Sequence, residues 1–231
     1  MRLFLICLLL SLNCLVFSQE NSKTITAKNS KFNISFAVGP SFRLGKIPND
    51  YSPDLKKYLQ ALKSGISYDL NLVYMINIKS GIGLKLNMYQ SKGSLGPVDV
   101  IAPNGEEGTT RVLDNIKIYF IGPSYTISSG KYKNFFSSNL AIGYVGYLND
   151  ADILGSYKIK GSSIGFITDI VYLFGLNDNF QIGPKVSLVQ GNIFKFNITG
   201  PDGFHETIKL DKDKIESLIR IDLLVEVRYK F

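Results

Sequence analysis

Cysteine is nearly absent from this chain of 231 residues, tryptophan is absent, and histidine occurs once. Both cysteines, Cys7 and Cys14, lie within the first 19 residues, so the remainder of the chain contains no disulfide. Apolar residues make up 45% of the sequence, with 13 Tyr and 15 Phe, which excludes a disordered or collagen-like chain. The chain must therefore be held together without cross-links.

The N-terminal segment, residues 1–19, has one positive charge followed by an apolar run and a small residue, Ser18. This layout is typical of a secretory signal peptide. A retained membrane anchor is the alternative, but the apolar run is short for spanning and contains two polar residues. Neither cysteine follows a small residue, which argues against lipidation. We expect cleavage after Ser18 or Gln19 and a single domain over residues 20–231.

Beyond residue 20 no apolar run has the length of a membrane-spanning helix, and the dominant pattern is alternation with a period of two. Segments 32–44, 66–88 and 219–231 show it most clearly. In the last segment the alternating apolar positions are Ile219, Ile221, Leu223, Val225, Val227, Tyr229 and Phe231. The intervening positions are almost all charged, so these segments predict strands with one apolar and one polar face.

The spacing of the predicted strands indicates how they are arranged. Short connections (Lys79-Ser80, 129–131 and 177–179) alternate with long ones, which are 45–64, 91–111, 149–160 and 191–216. Eight antiparallel strands with short turns at one rim and long loops at the other are typical of a transmembrane β-barrel. We predict an all-β, eight-stranded, up-and-down transmembrane barrel with short periplasmic turns and long outer loops.

A soluble barrel of the lipocalin type is the alternative explanation of the alternation. Two features favour the membrane barrel: the polar faces are rich in small residues suited to a crowded lumen, and aromatic residues lie near strand ends. The chain also lacks the Trp expected of a lipocalin. In the fourth strand the apolar parity switches, from Ile116, Ile118 and Phe120 to Pro123 and Tyr125, which predicts a bulge near residues 121–122.

Three segments carry a resemblance to a known family. They are 38–42 (VGPSF), 121–125 (IGPSY) and the C-terminal 228–231 (RYKF). With the signal peptide, they resemble the eight-stranded outer-membrane barrels of Bacteroidota, often called PorT-like, and more distantly the OmpA and OmpX barrels. The resemblance implies a bacterial outer-membrane location. It also implies that the last strand carries the signal read by the barrel-insertion machinery, formed by Val225, Val227, Tyr229 and Phe231.

An eight-stranded barrel has an interior only wide enough for its own side chains. Charged residues of both signs fall on the predicted lumen face, where they can pair. The predicted lumen network consists of Asp69, Lys85, Lys117, Asp169, Lys185, Asp222, Glu226 and Arg228. We interpret it as a structural plug rather than an ion path.

The long connections are the other candidate functional regions. Residues 53–62 follow a plausible Ser52 cap and have apolar residues near helical spacing, which predicts a short helix. The single histidine, His205, lies beside Glu206 in a loop. A lone histidine without cysteine or a second histidine favours neither a metal site nor a catalytic group. We predict no catalytic residue, cofactor or metal.

The formal net charge of +7 is spread along the chain rather than clustered with aromatics, so nucleic-acid binding is not indicated. Outer-membrane lipids and anionic lipopolysaccharide are the natural partners of the basic residues. We predict a non-enzymatic envelope protein that is structural, binds at its surface, or is an accessory subunit of an assembly such as a secretion system. A narrow porin-like channel is the alternative, and a lipid-modifying enzyme is the least favoured.

Overall fold

The computed structural model of the protein describes residues 31–45, 47, 50–101, 107–131, 133–211 and 215–231. The predicted signal peptide lies outside these residues and stays a prediction. In the described part of the chain, no helix has the length and apolar character that crossing a membrane requires.

Eight antiparallel strands close into a barrel, as predicted. Their bounds are β1 Phe32–Arg43, β2 Ser64–Met75, β3 Ser80–Ile101, β4 Glu107–Lys131, β5 Asn134–Asp152, β6 Ser156–Gly175, β7 Phe180–Ile193 and β11 Arg220–Lys230. Three short strands, β8 Lys195–Thr199, β9 His205–Lys209 and β10 Glu216–Ser217, lie between β7 and β11. Consecutive barrel strands pair with each other, and β11 pairs with both β7 and β1, which closes the cylinder.

The short connections lie at one end of the barrel, which we name the turn end. Two of them, 76–79 and 176–179, have the same pattern of hydrogen bonds. In each turn an asparagine side-chain oxygen, of Asn77 or Asn177, accepts hydrogen bonds from the backbone N–H groups two and three residues further on. Asparagine stabilises tight turns in this way. The sequence therefore encodes these connections locally.

At the opposite end, which we name the loop end, most of the predicted loop residues are in strands. Residues 91–101 and 107–111, and most of 149–160, were predicted as loops and instead extend the β3–β4 and β5–β6 hairpins. At its loop end β6 also pairs with β8, which pairs with β9. A 3₁₀ turn, Pro201–Gly203, joins β8 to β9. The loop ends of β3 to β6 and the β8–β9 hairpin thus form one sheet, the extended wall.

A helix in the first long connection was also predicted and is confirmed. Helix α1 covers Pro53–Lys63, and the Ser52 hydroxyl accepts a hydrogen bond from the Leu55 N–H at 3.3 Å. Ser at the N-cap and Pro in the first turn are typical of a helix start. Leu62, near the end of α1, is buried. The helix is thereby fixed to the barrel at its C-terminal end.

Apolar side chains point outward and polar side chains point inward, the reverse of a soluble barrel. On β1, Phe32 and Phe36 are exposed to 56% and 49%, whereas Ser35 is buried. On β11, Val225 is exposed and Glu226 is 1% exposed. Such an outer surface is costly in water and is the arrangement of barrels that face lipid. The membrane-type barrel is therefore favoured over the lipocalin-type alternative.

Strand β4 differs from its prediction. Its pairing with β3 continues through residues 121–122, and its register with β5 is the same before and after them, so the predicted bulge is wrong. Ile116, Ile118 and Phe120 are buried inside the barrel, while Tyr119 and Ile121 are exposed outside. The apolar parity switches because the lumen itself becomes apolar toward the loop end. The alternation of the strand never changes phase.

Candidate functional site

Six charged side chains form a compact network at the middle of the lumen. Nitrogen–oxygen distances are 2.8 Å for Lys85–Asp69, 3.1 Å for Lys185–Glu226 and 3.5 Å for Lys185–Asp169. Arg228 completes the network through its 2.8 Å pair with Glu226, a neighbour on the same strand. Three acids, Asp69, Asp169 and Glu226, thus face three bases, Lys85, Lys185 and Arg228. Every charge has an opposite partner, which is the condition for burying ions.

A second pair lies closer to the loop end. Arg220 Nε donates to Asp222 Oδ1 at 3.1 Å, and both side chains are fully buried. The Ser67 hydroxyl donates to the other Asp222 oxygen at 2.8 Å. Asn87 links the two groups, because its amide nitrogen donates to Asp69 at 3.2 Å while its oxygen accepts from Arg220. Hydrogen bonds therefore run continuously from one charged group to the next.

Arg220 was missed in the predicted network. It lies on the same parity of β11 as Asp222, Glu226 and Arg228, so the alternation would have identified it. Asn87 was missed as well because a single neutral amide carries no comparable signal.

Lys117 was predicted in the lumen, and this prediction is wrong. Its side chain lies on the outside of β4, 38% exposed, with its nitrogen 3.8 Å from an oxygen of Asp150 on β5. The error follows from the supposed bulge in β4. Because Ile116 and Ile118 face inward, the residue between them faces outward. The other seven predicted residues are all buried in the lumen.

The other half of the lumen is apolar. A cluster of buried side chains from β3 to β7 lies beside the charged groups and extends to the loop end. Its members are Tyr89, Ile116, Ile118, Phe120, Ala141, Val145, Tyr147, Ile167, Val189 and Ile193, with Leu62 and Leu218 packed on top. Tyr89 joins the two halves, since the Arg220 guanidinium lies 5.3 Å from its ring centroid. The interior is filled by protein side chains.

Helix α1 and the start of β11 cover the mouth at the loop end. The Leu62 carbonyl accepts hydrogen bonds from the Tyr89 hydroxyl at 3.0 Å and from the Ser91 hydroxyl at 2.8 Å. Arg43, at the loop end of β1, pairs with Glu216 of β10, which precedes β11 in the chain. Burial, assisted by the nearby Arg43 guanidinium, lowers the pKa of the adjacent Lys63. These contacts hold α1 over the filled lumen.

A cleft of about 660 Å³ lies between α1 and the extended wall. Its lining residues are Lys57, Tyr58, Ala61, Lys92, Gly93, Ser94, Leu113, Asp114, Asn115, Asp150, Ala151, Asp152 and Ser156. At its base the Tyr58 hydroxyl and the Asn149 amide donate to the two oxygens of Asp114. Burial, the hydrogen bond to Asp114 and its negative charge all raise the pKa of Tyr58 well above its ordinary value. The phenol therefore keeps its proton and acts as a donor.

The remaining predicted residues lie on the outer surface. Val225, Val227 and Phe231 are exposed on the apolar face of β11, and Tyr229 is half-buried between two aromatic rings. His205 lies on the exposed strand β9, with Nδ1 3.2 Å from the Thr199 hydroxyl. Within the described ranges, no group of three or more His, Cys, Asp or Glu residues is placed to hold a metal ion.

The barrel is similar to solved structures of bacterial outer-membrane proteins. A major outer membrane protein from Thermus thermophilus matches with a TM-score of 0.57 at 10% identity, covering 88% of this chain and 100% of that chain. OprG from Pseudomonas aeruginosa gives 0.49 at 16%, covering 90% and 99%. The outer membrane protease OmpT from Escherichia coli gives 0.49 at 8%, covering 91% and 99%. No family model and no curated protein sequence matches the chain.

At these sequence identities the similarity concerns the fold alone. We base this comparison of folds on the Thermus protein, because its TM-score is above 0.5. The closed antiparallel barrel with an apolar exterior and a polar interior is the architecture of outer-membrane barrel proteins.

Proposed function

We propose that this protein is a non-enzymatic barrel of the bacterial outer membrane, closed to the flow of solutes, which acts through its loop end. It serves there as a structural or surface-binding protein, or as an accessory subunit of an envelope assembly such as a secretion system. The observation that carries the proposal is the filled lumen, in which a neutral charge network and an apolar cluster occupy the interior beneath α1. A barrel whose interior is occupied in this way has its binding surfaces outside.

The membrane location is supported by the apolar exterior and by the fold of the solved outer-membrane proteins. The resemblance of the sequence to PorT-like barrels supports two further parts of the proposal, which are a role as an accessory subunit and an origin in Bacteroidota. The partners that we propose are outer-membrane lipids, lipopolysaccharide and the barrel-insertion machinery. The closed lumen argues against the alternative of a porin-like channel.

The test is the ionic conductance of the purified protein in planar lipid bilayers. We expect no stable conductance steps from the wild type. Reproducible steps whose ion selectivity changes in Lys85→Ala, but not in the outward-facing control Lys117→Ala, would replace the closed barrel with the channel function. The two substitutions remove the same charge on opposite sides of the wall, so only an ion path through the lumen distinguishes them.

A second measurement separates the two forms of the proposal. Gentle extraction from isolated outer membranes, followed by determination of the native mass, gives either a lone barrel or a larger complex. A lone, heat-modifiable species indicates a self-contained surface protein. A stoichiometric complex indicates an accessory subunit, and its other chains identify the assembly.

A further inference from the structure

Two lysines, Lys195 and Lys209, lie directly opposite each other on the β8–β9 hairpin. The Leu210 N–H donates to the Phe194 carbonyl at 2.9 Å, so residues 194 and 210 form a hydrogen-bonded pair. The next pair of an antiparallel ladder is then a non-hydrogen-bonded one, in which the side chains are closest. Two like charges directly opposite each other destabilise a sheet. An anion between the two ammonium groups would remove this repulsion.

Both lysines lie on the outer face of the extended wall. Phe196, which follows Lys195, points toward the lumen side, where its ring centroid lies 5.4 Å from that of the lumen residue Tyr147. Because successive side chains of a strand point to opposite faces, Lys195 points outward. Lys209 shares that face, because it is the cross-strand partner of Lys195.

A third lysine joins this pair from β6. Lys160 is the cross-strand partner of Asn197, which is two residues from Lys195. Lys160 and Lys195 are therefore diagonal neighbours on one face, with their Cβ atoms about 7–8 Å apart. All three lysines are exposed, and we name Lys160, Lys195 and Lys209 the basic patch.

In the part of the chain that the structure describes, the basic patch has no acidic partner. None of its three ammonium groups forms a salt bridge with a described residue. Glu206 has the opposite parity to Lys209 on β9, so it faces the lumen side of the wall. Asp150, on the outer face of β5, is paired with Lys117. An anion from outside the chain can therefore supply the counter-charge.

The basic patch lies just above the lipid-facing surface. On β6 the outward positions from Ile164 to Leu176 are mostly apolar, and Ile164 is 71% exposed. Its cross-strand partner is Tyr144, whose ring centroid lies 6.1 Å from that of Tyr119, and such exposed aromatic residues mark the membrane interface of a barrel. Lys160 lies further toward the loop end, about 14 Å along the strand from Ile164. The patch is thus at the level of lipid headgroups.

A phosphate monoester has the charge and the acceptors that suit this patch. It carries nearly two negative charges and three acceptor oxygens, enough to accept hydrogen bonds from all three ammonium groups. A phosphodiester carries only one charge. The longer loops of outer-membrane barrels face the outside of the cell, so the patch faces the outer leaflet. Lipopolysaccharide lies in that leaflet, and its lipid A part carries phosphate monoesters above its acyl chains.

We propose that the basic patch binds a phosphate group of lipid A. The phosphate lies between the ammonium groups of Lys195 and Lys209 and within reach of Lys160, while the acyl chains follow the apolar surface that begins at Ile164. The bound phosphate removes the repulsion between the opposing lysines, and the apolar surface below holds the lipid in place. This inference rests on the proposed outer-membrane location and assigns the site at which lipopolysaccharide contacts the barrel.

The first test compares lipid A with and without its phosphate groups. The full chain is folded in an uncharged detergent with EDTA, which removes divalent cations that could link phosphates to acidic side chains. Native mass spectrometry then measures the fraction of barrels that carry lipid A. We expect dephosphorylated lipid A to bind at least about tenfold more weakly than the phosphorylated form. Equal affinity for the two forms overturns the proposal, and this comparison uses only the wild type.

A pair of double variants then locates the site. Lys195→Gln/Lys209→Gln is expected to weaken the binding of phosphorylated lipid A at least about tenfold. The matched control is Lys31→Gln/Lys79→Gln, which removes two exposed lysines at the turn end and is expected to leave the affinity unchanged. Equal losses in the two double variants contradict a site at the basic patch, because only the net charge would then matter.

Dephosphorylated lipid A serves as the control for folding. Its weaker binding depends on the apolar surface alone, so we expect the same affinity in the wild type and in Lys195→Gln/Lys209→Gln. A variant that loses the binding of phosphorylated lipid A but keeps that of the dephosphorylated form has lost the phosphate contact rather than the fold. Unchanged binding of phosphorylated lipid A by this variant overturns the proposal.

Two further probes distinguish lipid A from other phosphate compounds. Glucose 1-phosphate, a soluble phosphate monoester without acyl chains, is expected not to displace lipid A even in excess. Phosphatidylglycerol, a lipid whose phosphodiester carries one charge, is expected to bind more weakly than lipid A. Displacement by glucose 1-phosphate, or equal affinity for phosphatidylglycerol, overturns lipid A as the ligand. The conductance measurement tests the closed barrel independently, so failure of lipid A binding and failure of the proposed function are distinguishable.

Discussion

Lys185 of β7 and Asp69 of β2 meet across the lumen, with 2.5 Å between Nζ and Oδ1. The two residues are 116 positions apart and their strands are not neighbours in the barrel. Lys85 of β3 reaches Asp169 of β6 in the same way from the opposite side. The network therefore joins opposite walls, which backbone pairing between adjacent strands does not do.

Removing one member of this network leaves buried charges unpaired. Lys85→Met deletes a cation that serves both Asp69 and Asp169, and Lys185 alone then faces both acids. We expect the free energy of unfolding to fall by about 3–5 kcal/mol, the usual cost of breaking a buried ion pair. Chemical denaturation of the folded protein in lipid vesicles measures it.

The matched control is Lys117→Met, which removes the same side chain from the outside of the wall. Its pair with Asp150 is half-exposed at 3.8 Å, so we expect a change below about 1 kcal/mol. A cost for Lys85→Met as small as that of the control would show that the lumen pairs contribute nothing to stability.

Strands β4 and β5 approach closely at a pair of glycines. A Cβ on Gly122 would lie 2.1 Å from the Ile142 carbonyl oxygen and 2.6 Å from the Gly143 Cα. Gly122→Ala therefore forces backbone atoms apart, and we expect a loss of about 1–3 kcal/mol in the free energy of unfolding. A Cβ on Gly108, in the extended wall, meets nothing within 4 Å, so Gly108→Ala is the control with no expected loss.

The sequence predicts the barrel well because most strands follow one rule, with apolar residues outward and polar residues inward. On β11 that rule assigns Asp222, Glu226 and Arg228 to the lumen, where they lie. It fails on β4, where Ile118 and Phe120 are apolar and face inward. Alternation alone does not reveal which side of a strand faces lipid when both sides are apolar.

The candidate cleft was not predictable from the sequence. It depends on α1 lying against the extended wall, which brings Tyr58 to Asp114, 56 positions away. Helical periodicity predicts α1 but not where the helix docks. The loop-end parts of β3 to β6 in this wall were predicted as loops, because they carry polar residues such as Lys158 and Asp152 and present no continuous apolar face.

The proton on Tyr58 provides a test of how α1 docks. Its pKa is raised above the ordinary value of 10 by burial and by Asp114, so above pH 10 the unfolded chain binds fewer protons than the folded chain. The contribution of Tyr58 to stability is therefore complete below pH 10 and decreases as the pH rises above 10. Spectrophotometric titration at the phenolate absorption band, taken as wild type minus Tyr58→Phe, measures this directly.

We expect this difference signal to be missing near pH 10 in the folded protein and to appear there after unfolding. In Asp114→Asn the hydrogen bond to an anion is lost while burial remains, so the Tyr58 phenolate is expected at lower pH than in the wild type. Ionisation near pH 10 in the folded wild type would contradict the docked position of α1.

The aromatic residues at the end of β11 give the last prediction. Tyr229 contacts the rings of Phe180 and Phe231, each with 4.7 Å between centroids, and Phe231 is 60% exposed on the apolar face. Phe231→Ala removes one aromatic contact, which contributes about 0.5–1.5 kcal/mol to the free energy of unfolding. If Phe231 also belongs to the insertion signal, assembly by the insertion machinery must fall by more than this lost ring contact explains.

The control is Phe174→Ala, which removes an exposed aromatic residue from β6 whose ring contacts Tyr172 at 5.0 Å. Both variants lose one ring contact on the lipid-facing side, so spontaneous folding into pure lipid vesicles should slow to a similar extent. In vesicles containing the barrel-insertion machinery, Phe231→Ala is expected to assemble several-fold less efficiently than Phe174→Ala. If the two variants assemble equally well there, the machinery does not recognise Phe231 in particular. Phe231 would then act only through its packing and its contact with the membrane.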